Sequence, residues 1–400
     1  MNKNNKLVPA HPILSQLKPL ALALGAVAAL MGTAQAQEPV KVGMLLPYTG
    51  TYAALGEAIT NGMNLAIEQK GGQLGGRPVQ IVTVDSEANA GKAVQNMQKL
   101  ISGAKVDVVI GPVHSGVGMA AVKVARQSGV PLIITNAGFN AATGPLCAPN
   151  IFRTSFTSWQ TAYPMGKVAA ERGYKNVVTV AWRYGFGTES VEGFKQGFEE
   201  AGGKVSKEIY VAFPDVEFQS QLTEIAAARP DAVFVFFAGG GAAKFVQDYA
   251  AAGLQGRIPL LGSGFLTEGT LLAQGAAAEG VLTTLHYADS LDTPQNNSFR
   301  SEYRQKFGKE ADIYAVQGYD AGLLLAQSLE QVGGNTRDRD AWLAAMAQAK
   351  IDSPRGEWSF SKAQNPVQNI YLREVRDGTN VVVSTAAEAL ADPATGCKMP

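Results

Sequence analysis

The 400-residue chain is poor in cysteine and histidine, with two and three, and its 34 Lys and Arg are matched by 34 Asp and Glu. Balanced charge excludes the basic footprint of a nucleic-acid binder, and no run of like charge marks an acidic or basic arm. After residue 36 no apolar run is long enough to cross a bilayer, for which about 20 residues are needed. Cys147 and Cys397 do not form a C-x-x-C pair, and beyond residue 36 only His114 and His286 remain, so a redox dithiol and a His/Cys zinc site are both disfavoured. No metal and no cofactor are expected. The 44 Gly fall between periodic segments and show no collagen-like repeat. At about 100–200 residues per domain, the length suggests two domains.

The first 36 residues look removable. Lys3, Lys6 and Lys18 precede an apolar stretch from Pro19 to Gly32, and Ala34-Gln35-Ala36 supplies an A-x-A site. This is the pattern of a secretory signal peptide, cleaved after Ala36, and it predicts export to the periplasm. Export changes the reading of the cysteines. In an oxidising compartment a lone pair suggests one disulfide, Cys147–Cys397, pinning the tail to the first half; two free thiols are the alternative.

The remainder alternates strand and helix. Val40–Leu46, Val79–Val84, Val106–Ile110 and Val130–Thr135 are apolar runs. Between them, Leu55, Ile59, Met63 and Ile67 recur every four residues, Val94, Met97, Leu100 and Ile101 form a second stripe, and Ser115–Ser128 a third helix. The pattern restarts with a helix at 161–172. Strands follow at Val177–Trp182, Val205–Phe213, Asp231–Phe237 and Ile258–Leu261, with helices between them. Near-continuous apolar strands separated by helices indicate parallel sheets covered on both faces. Two long helices, 298–307 and 314–331, come next. Ile370–Val375 and Val381–Ser384 then look like a two-stranded addition around Asp377-Gly378. The fold class expected is α/β, with two doubly wound, Rossmann-like lobes and a ligand cleft between them.

In such sheets ligands bind beyond the carboxyl ends of strands, where helix N-termini present free N–H groups. Four strand exits are rich in Gly and small polar residues: 47–56, 111–118, 136–144 and 239–241. At Gly111-Pro-Val-His-Ser-Gly-Val-Gly118, the Ser115 hydroxyl and the amides of Gly116 and Val117 could hold a carboxylate, or Ser115 could simply cap its helix. This loop lacks the P-loop lysine. It is not a nucleophile elbow either, because Val113 stands where Gly would be needed. His114 adjoins Ser115 and would project elsewhere, so a hydrolase built on Ser115 lacks a base and no enzyme is expected. Tyr52, Phe139, Trp159, Trp182, Tyr184 and Phe186 gather at or near the other exits, and Arg183 lies among them.

The segments K-V-G-M-L-L-P-Y-T-G-T-Y-A-A-L-G, V-V-I-G-P-V-H-S-G-V-G, G-V-P-L-I-I-T-N-A-G and R-P-D-A-V-F-V-F-F-A-G-G-G resemble the periplasmic branched-chain amino-acid-binding proteins of ABC transporters. So do G-R-I-P-L-L-G-S-G-F, A-A-E-G-V and Y-A-V-Q-G-Y-D-A. The resemblance implies a type I periplasmic binding fold, three hinge crossings, a ligand trapped by lobe closure and an inner-membrane ABC permease as partner. It implies a first lobe of residues 37–155 with about 288–360, a second of 156–287 with about 361–390, and a tail from 391 to 400. A monomer is expected, with no nucleic acid bound and no membrane insertion.

By the same resemblance Ser115 holds the ligand carboxylate, Ala137 and Gly138 form the backbone pair beside it, and Tyr52 or Leu55 walls the first loop. Phe139 stands where amino-acid binders often have Thr, and Phe186 where the second lobe's covering Tyr stands. Gly239 is a further lining candidate. In L-L-G-S-G-F, family members that bind amino acids usually carry an acid for the α-ammonium; here Ser263, Gly264 and Phe265 occupy the loop, with Glu268 beyond. An ammonium buried without a partner costs several kcal/mol, roughly that of one unpaired ion. The expected ligand is therefore a small aromatic carboxylate without an α-ammonium, such as a benzoate. The alternatives are a branched-chain amino acid or small amide, with Glu268 as the acid, and a ligand-sensing module for a receptor.

Overall fold

A computed structural model describes residues 37–399, with Met1, Asn4, Lys6 and Leu7. The apolar stretch and the Ala36 site of the expected signal peptide lie outside the described residues. The chain divides into two units, Met1–Glu38 and Pro39–Pro400, and every strand and helix named here belongs to the second.

Val40–Leu46 (β1), Gln73–Leu74 (β2), Arg77–Asp85 (β3), Val108–Ile110 (β4), Leu132–Ile134 (β5) and Ile151–Arg153 (β6) form one sheet, ordered β2-β3-β1-β4-β5-β6. All its pairings are parallel except that of β2. In β1 every residue but Lys41 is buried, as expected of a parallel strand with both faces covered. Asn176–Trp182 (β7), Lys204–Val211 (β8), Ala232–Phe236 (β9), Leu260–Ser263 (β10), Leu282–Leu285 (β11), Ser359–Phe360 (β12), Pro366–Arg376 (β13) and Thr379–Leu390 (β14) form the second. Its order is β12-β13-β11-β10-β9-β7-β8, with β14 on β13. The expected hairpin at Asp377-Gly378 is present, but β13 also pairs antiparallel with β11 and so extends the second sheet.

The late helix Ile313–Gln331 packs on Ala53–Gln69, which follows β1. The two touch backbone to backbone: a Cβ at Gly62 would lie 1.9 Å from the Ala315 carbonyl oxygen, and one at Gly318 1.9 Å from that of Ile59. Only glycine permits this approach.

The chain passes between the sheets after β6, after β11 and again before β12. Buried Arg355, in the passage before β12, ties it to the passage after β6 and to the late helix. Its Nη2 and Nη1 donate to the carbonyls of Thr154 (2.7 Å) and Ser155 (3.3 Å), its Nε to Asp320 (2.8 Å), and Nη1 also to Gln368. Cys147 and Cys397 are disulfide-bonded with their Cα atoms 5.6 Å apart, anchoring the tail to the loop before β6. Strands β2, β6, β11 and β12 carry too few residues to display a period, and periodicity does not reveal them. The helix Arg339–Ala347, which buries Trp342, Ala345 and Met346 at i, i+3 and i+4, was not among the expected elements.

Candidate functional site

Each sheet reverses its direction of growth once, between β1 and β4 and between β7 and β9. The crevice at such a switch point, beyond the carboxyl ends of the strands, is where an open α/β sheet binds ligands. Here the two crevices share one space. Tyr52, Leu55, Val113 and Asn136 line it from the exits of β1, β4 and β5. Tyr184, Phe186, Phe236, Ala238 and Phe265 line it from β7, β9 and β10, and Tyr314 from the late helix. The space is narrow, ≈ 240 Å³ with its open mouth included.

The two sides touch. The Tyr52 and Tyr184 hydroxyls are 2.9 Å apart, and the His114 ring stacks on Tyr184 with centroids 4.5 Å apart. The Asn140 amide, before β6, donates to Glu189 Oε2 on the helix Gly185–Glu200 at 2.9 Å. Two expected site glycines serve this closeness. A Cβ on Gly138 would fall 2.5 Å from Phe186 Cε2, and one on Gly239 2.6 Å from the Thr51 carbonyl oxygen. Phe186 stacks on Phe236 at 4.1 Å and meets Phe265 edge-on at 5.5 Å. Phe156 closes the cluster, 4.7 Å from Phe265.

Ser115 opens the helix Ser115–Ser128, but it is not the cap. His114 is, its Nδ1 accepting the Gly116 N–H at 3.1 Å. That bond also engages an amide expected to be free for a ligand. Ser115 itself is 2 % exposed and its Oγ has no hydrogen-bond partner. A Cβ on Gly185 would lie 3.5 Å from Ser115 Cβ. Two helix N-termini, one from each sheet's connections, therefore meet at Ser115, a setting that favours negative charge.

Tyr52, Leu55, Tyr184, Phe186 and Phe265 line the space as expected. Other expected contacts are drawn elsewhere. Phe139 packs into the core under the helix Ser115–Ser128, where Gly118 leaves room for its ring. The Ala137 N–H donates to the Pro112 carbonyl at 2.9 Å. Gly264 lies against Leu285, and its carbonyl accepts from Arg373 Nη2 at 3.1 Å. Arg183 is exposed, its guanidinium over the Tyr210 ring. Val113, Asn136, Phe236, Ala238 and Tyr314 were not singled out from sequence. Val113 and Asn136 stand at noted exits and Ala238 immediately before another; Phe236 reads as strand core and Tyr314 as helix core, with no distinguishing signal.

None of the lining residues is charged. Burial, with the neighbouring hydroxyls, raises the pKa of Tyr52, and burial also raises those of Tyr184 and Tyr314, so all three stay neutral. Burial lowers His114 to about 4, leaving it neutral as well. Glu268, the acid named for an ammonium, is 3 % exposed and bound to Arg373, itself fully buried. Its other oxygen accepts the Ile313 N–H at 3.1 Å.

Two doubly wound sheets, three passages between them and a neutral aromatic cleft where their switch points meet define a two-lobed binding protein of type I fold. The chain belongs to the periplasmic binding protein family, which matches residues 39–380. A solute-binding protein of an R. palustris ABC transporter, solved in complex with benzoate, is 50% identical, with a TM-score of 0.89 over 90% of this chain and 100% of its own. Another, from Rhodopseudomonas palustris BisB5 with 3,4-dihydroxybenzoic acid, is 34% identical, with a TM-score of 0.84 over 89% and 99%. The Leu/Ile/Val-binding protein homolog 6 of Brucella abortus is 32% identical over 91% of this chain and 95% of its own.

Proposed function

We propose that this protein is the periplasmic substrate-binding component of an ABC importer and that it captures a small aromatic carboxylate lacking an α-ammonium. The observation that carries this reading is the state of Glu268. Already paired with Arg373 and the Ile313 amide, it leaves a cleft lined by no acid. An ammonium there would be buried unpaired, at a cost of several kcal/mol. A flat ring instead meets Phe186, Phe236 and Phe265, and a carboxylate meets the Ser115 hydroxyl at the two helix N-termini. The likeness to proteins solved with benzoate and 3,4-dihydroxybenzoic acid supports the same class.

The first lobe receives the carboxylate, and closure brings Tyr184 and Phe186 over the ring, expelling water. A ligand stabilises the closed state only through contacts that the open state lacks, and the cleft residues come from both sheets. Binding without turnover fits Ser115, whose Oγ has no base bonded to it. The closed form is then recognised by a membrane permease.

The test is a thermal-shift and calorimetric comparison of benzoate with leucine and valine on the chain without its first 36 residues. A ligand at 100 times its dissociation constant adds ~2.7 kcal/mol, and each kcal/mol moves the midpoint of a 150–250-residue domain by roughly 2–4 °C. A shift with benzoate and none with leucine is the expected result. Leucine binding as tight as benzoate binding overturns the reading and favours the branched-chain function named for the Brucella relative.

A further inference from the structure

Three tyrosines line the cleft, and the states of their hydroxyls differ. Those of Tyr52 and Tyr184 bond each other, so one donates and the other keeps its hydrogen. The Tyr314 hydroxyl has no hydrogen-bond partner, although Tyr314 is 1 % exposed. A buried hydroxyl without a partner is costly, and buried polar groups in folded proteins are nearly always bonded. Tyr314 is held in place by the late helix and by Phe265, whose ring lies 6.1 Å from its own. The hydroxyl therefore stands ready on a fixed wall.

A plain phenyl ring would leave that group orphaned inside a closed, dry cleft. A ring that carries a hydroxyl would satisfy it. The asymmetry is large in principle, because a site built to bond a substrate hydroxyl discriminates strongly against the analogue lacking it.

Resting on the function proposed above, we propose that Tyr314 is a specificity-determining residue that bonds a polar substituent on the ring of the bound acid, so that the preferred ligands are hydroxylated aromatic carboxylates. The carboxylate is assigned to Ser115 and the ring substituent to Tyr314. Asn136 is not available in the same way, since its Nδ2 already donates to Gln317 Oε1 at 2.8 Å.

The experiment is isothermal titration of the protein and of Tyr314→Phe with benzoate, 3-hydroxybenzoate and 4-hydroxybenzoate. Phenylalanine keeps the ring and removes only the hydroxyl. The wild-type protein is expected to bind at least one hydroxybenzoate about ten-fold or more tighter than benzoate, a factor typical of one buried hydrogen bond. In Tyr314→Phe that preference should fall to about two-fold or less. If Tyr314→Phe does not fold, the wild-type ratios decide, and equal affinities for all three acids overturn the assignment. Equal weakening of benzoate and the hydroxybenzoates also overturns it, by placing the carboxylate rather than the substituent at Tyr314. Benzoate binding with no substituent preference defeats this inference alone; absence of binding by any of the three acids defeats the proposed function with it.

Discussion

The hydroxyls of Tyr52 and Tyr184 lie 2.9 Å apart, and each residue sits just beyond the first strand of its own lobe, β1 and β7. The bond thus joins equivalent points of two similar sheets and exists only while they are together. Tyr184→Phe should cost the closed form about 0.5–1.5 kcal/mol, read as a roughly two- to twelve-fold weaker ligand affinity by calorimetry. Solution scattering on the ligand-free variant should report a larger radius of gyration. Unchanged affinity and radius would show that the pair plays no part in closure.

Ser115 and His114 divide the duties that a single serine might have combined. Ser115→Ala should weaken carboxylate binding by about 1.5–3 kcal/mol, the range for hydrogen bonds to a charged group, and leave the ligand-free melting midpoint nearly unchanged. His114→Ala removes the capping acceptor of Gly116 and should lower that midpoint by an amount equivalent to about 1 kcal/mol. A Ser115→Ala protein that melts earlier yet binds normally would reverse the assignment.

Glu268 and Arg373 are a structural pair. Glu268→Ala leaves the fully buried guanidinium without its carboxylate, and breaking such a pair costs roughly 3–5 kcal/mol. Urea denaturation should show that loss for either single substitution. If Glu268→Ala instead abolished ligand binding with no loss of stability, Glu268 would belong to the site.

Glu189 accepts the Asn140 amide across the lobes, yet burial outweighs that bond and raises its pKa to about 7. A carboxyl whose folded pKa lies above its unfolded value stabilises the fold fully below the unfolded value, about 4.3, and loses that contribution as pH rises through about 7. Asp312, also raised to about 7 by burial, adds to the same trend. The melting midpoint should therefore fall between pH 5 and pH 8, and Glu189→Gln should reduce the fall. Parallel profiles for the two proteins would show that Glu189 is ionised throughout.

Much of this was legible in the chain. Runs such as Val40–Leu46 and Ala232–Phe236 are apolar because parallel strands are covered on both faces, so the sheets show directly in composition. The helix Ser115–Ser128 announces itself by its serine and glycines after an apolar strand, and begins and ends where expected. Segments of two to four residues, such as β6 and β11, are stabilised by their neighbours in the sheet and carry no period of their own. The aromatics at the exits were identifiable as a group but not by orientation.

The sequence by itself determined that this is a two-lobed α/β protein, that Gly-rich and aromatic candidate binding residues lie at strand exits, and, through the family resemblance, that L-L-G-S-G-F carries no acid. Local patterns suffice for these features because burial of strands and helix starts depends on residues close in the chain. Only the tertiary structure decided that Phe139 turns to the core over Gly118 while Phe186 turns to the cleft over Gly138. Only it gave Glu268 to Arg373 and left the Tyr314 hydroxyl without a partner. Those outcomes depend on which side chains meet across stretches of chain far longer than a helical or strand repeat, 105 residues for Glu268 and Arg373, where partners for charge and space for rings are set by packing rather than by spacing.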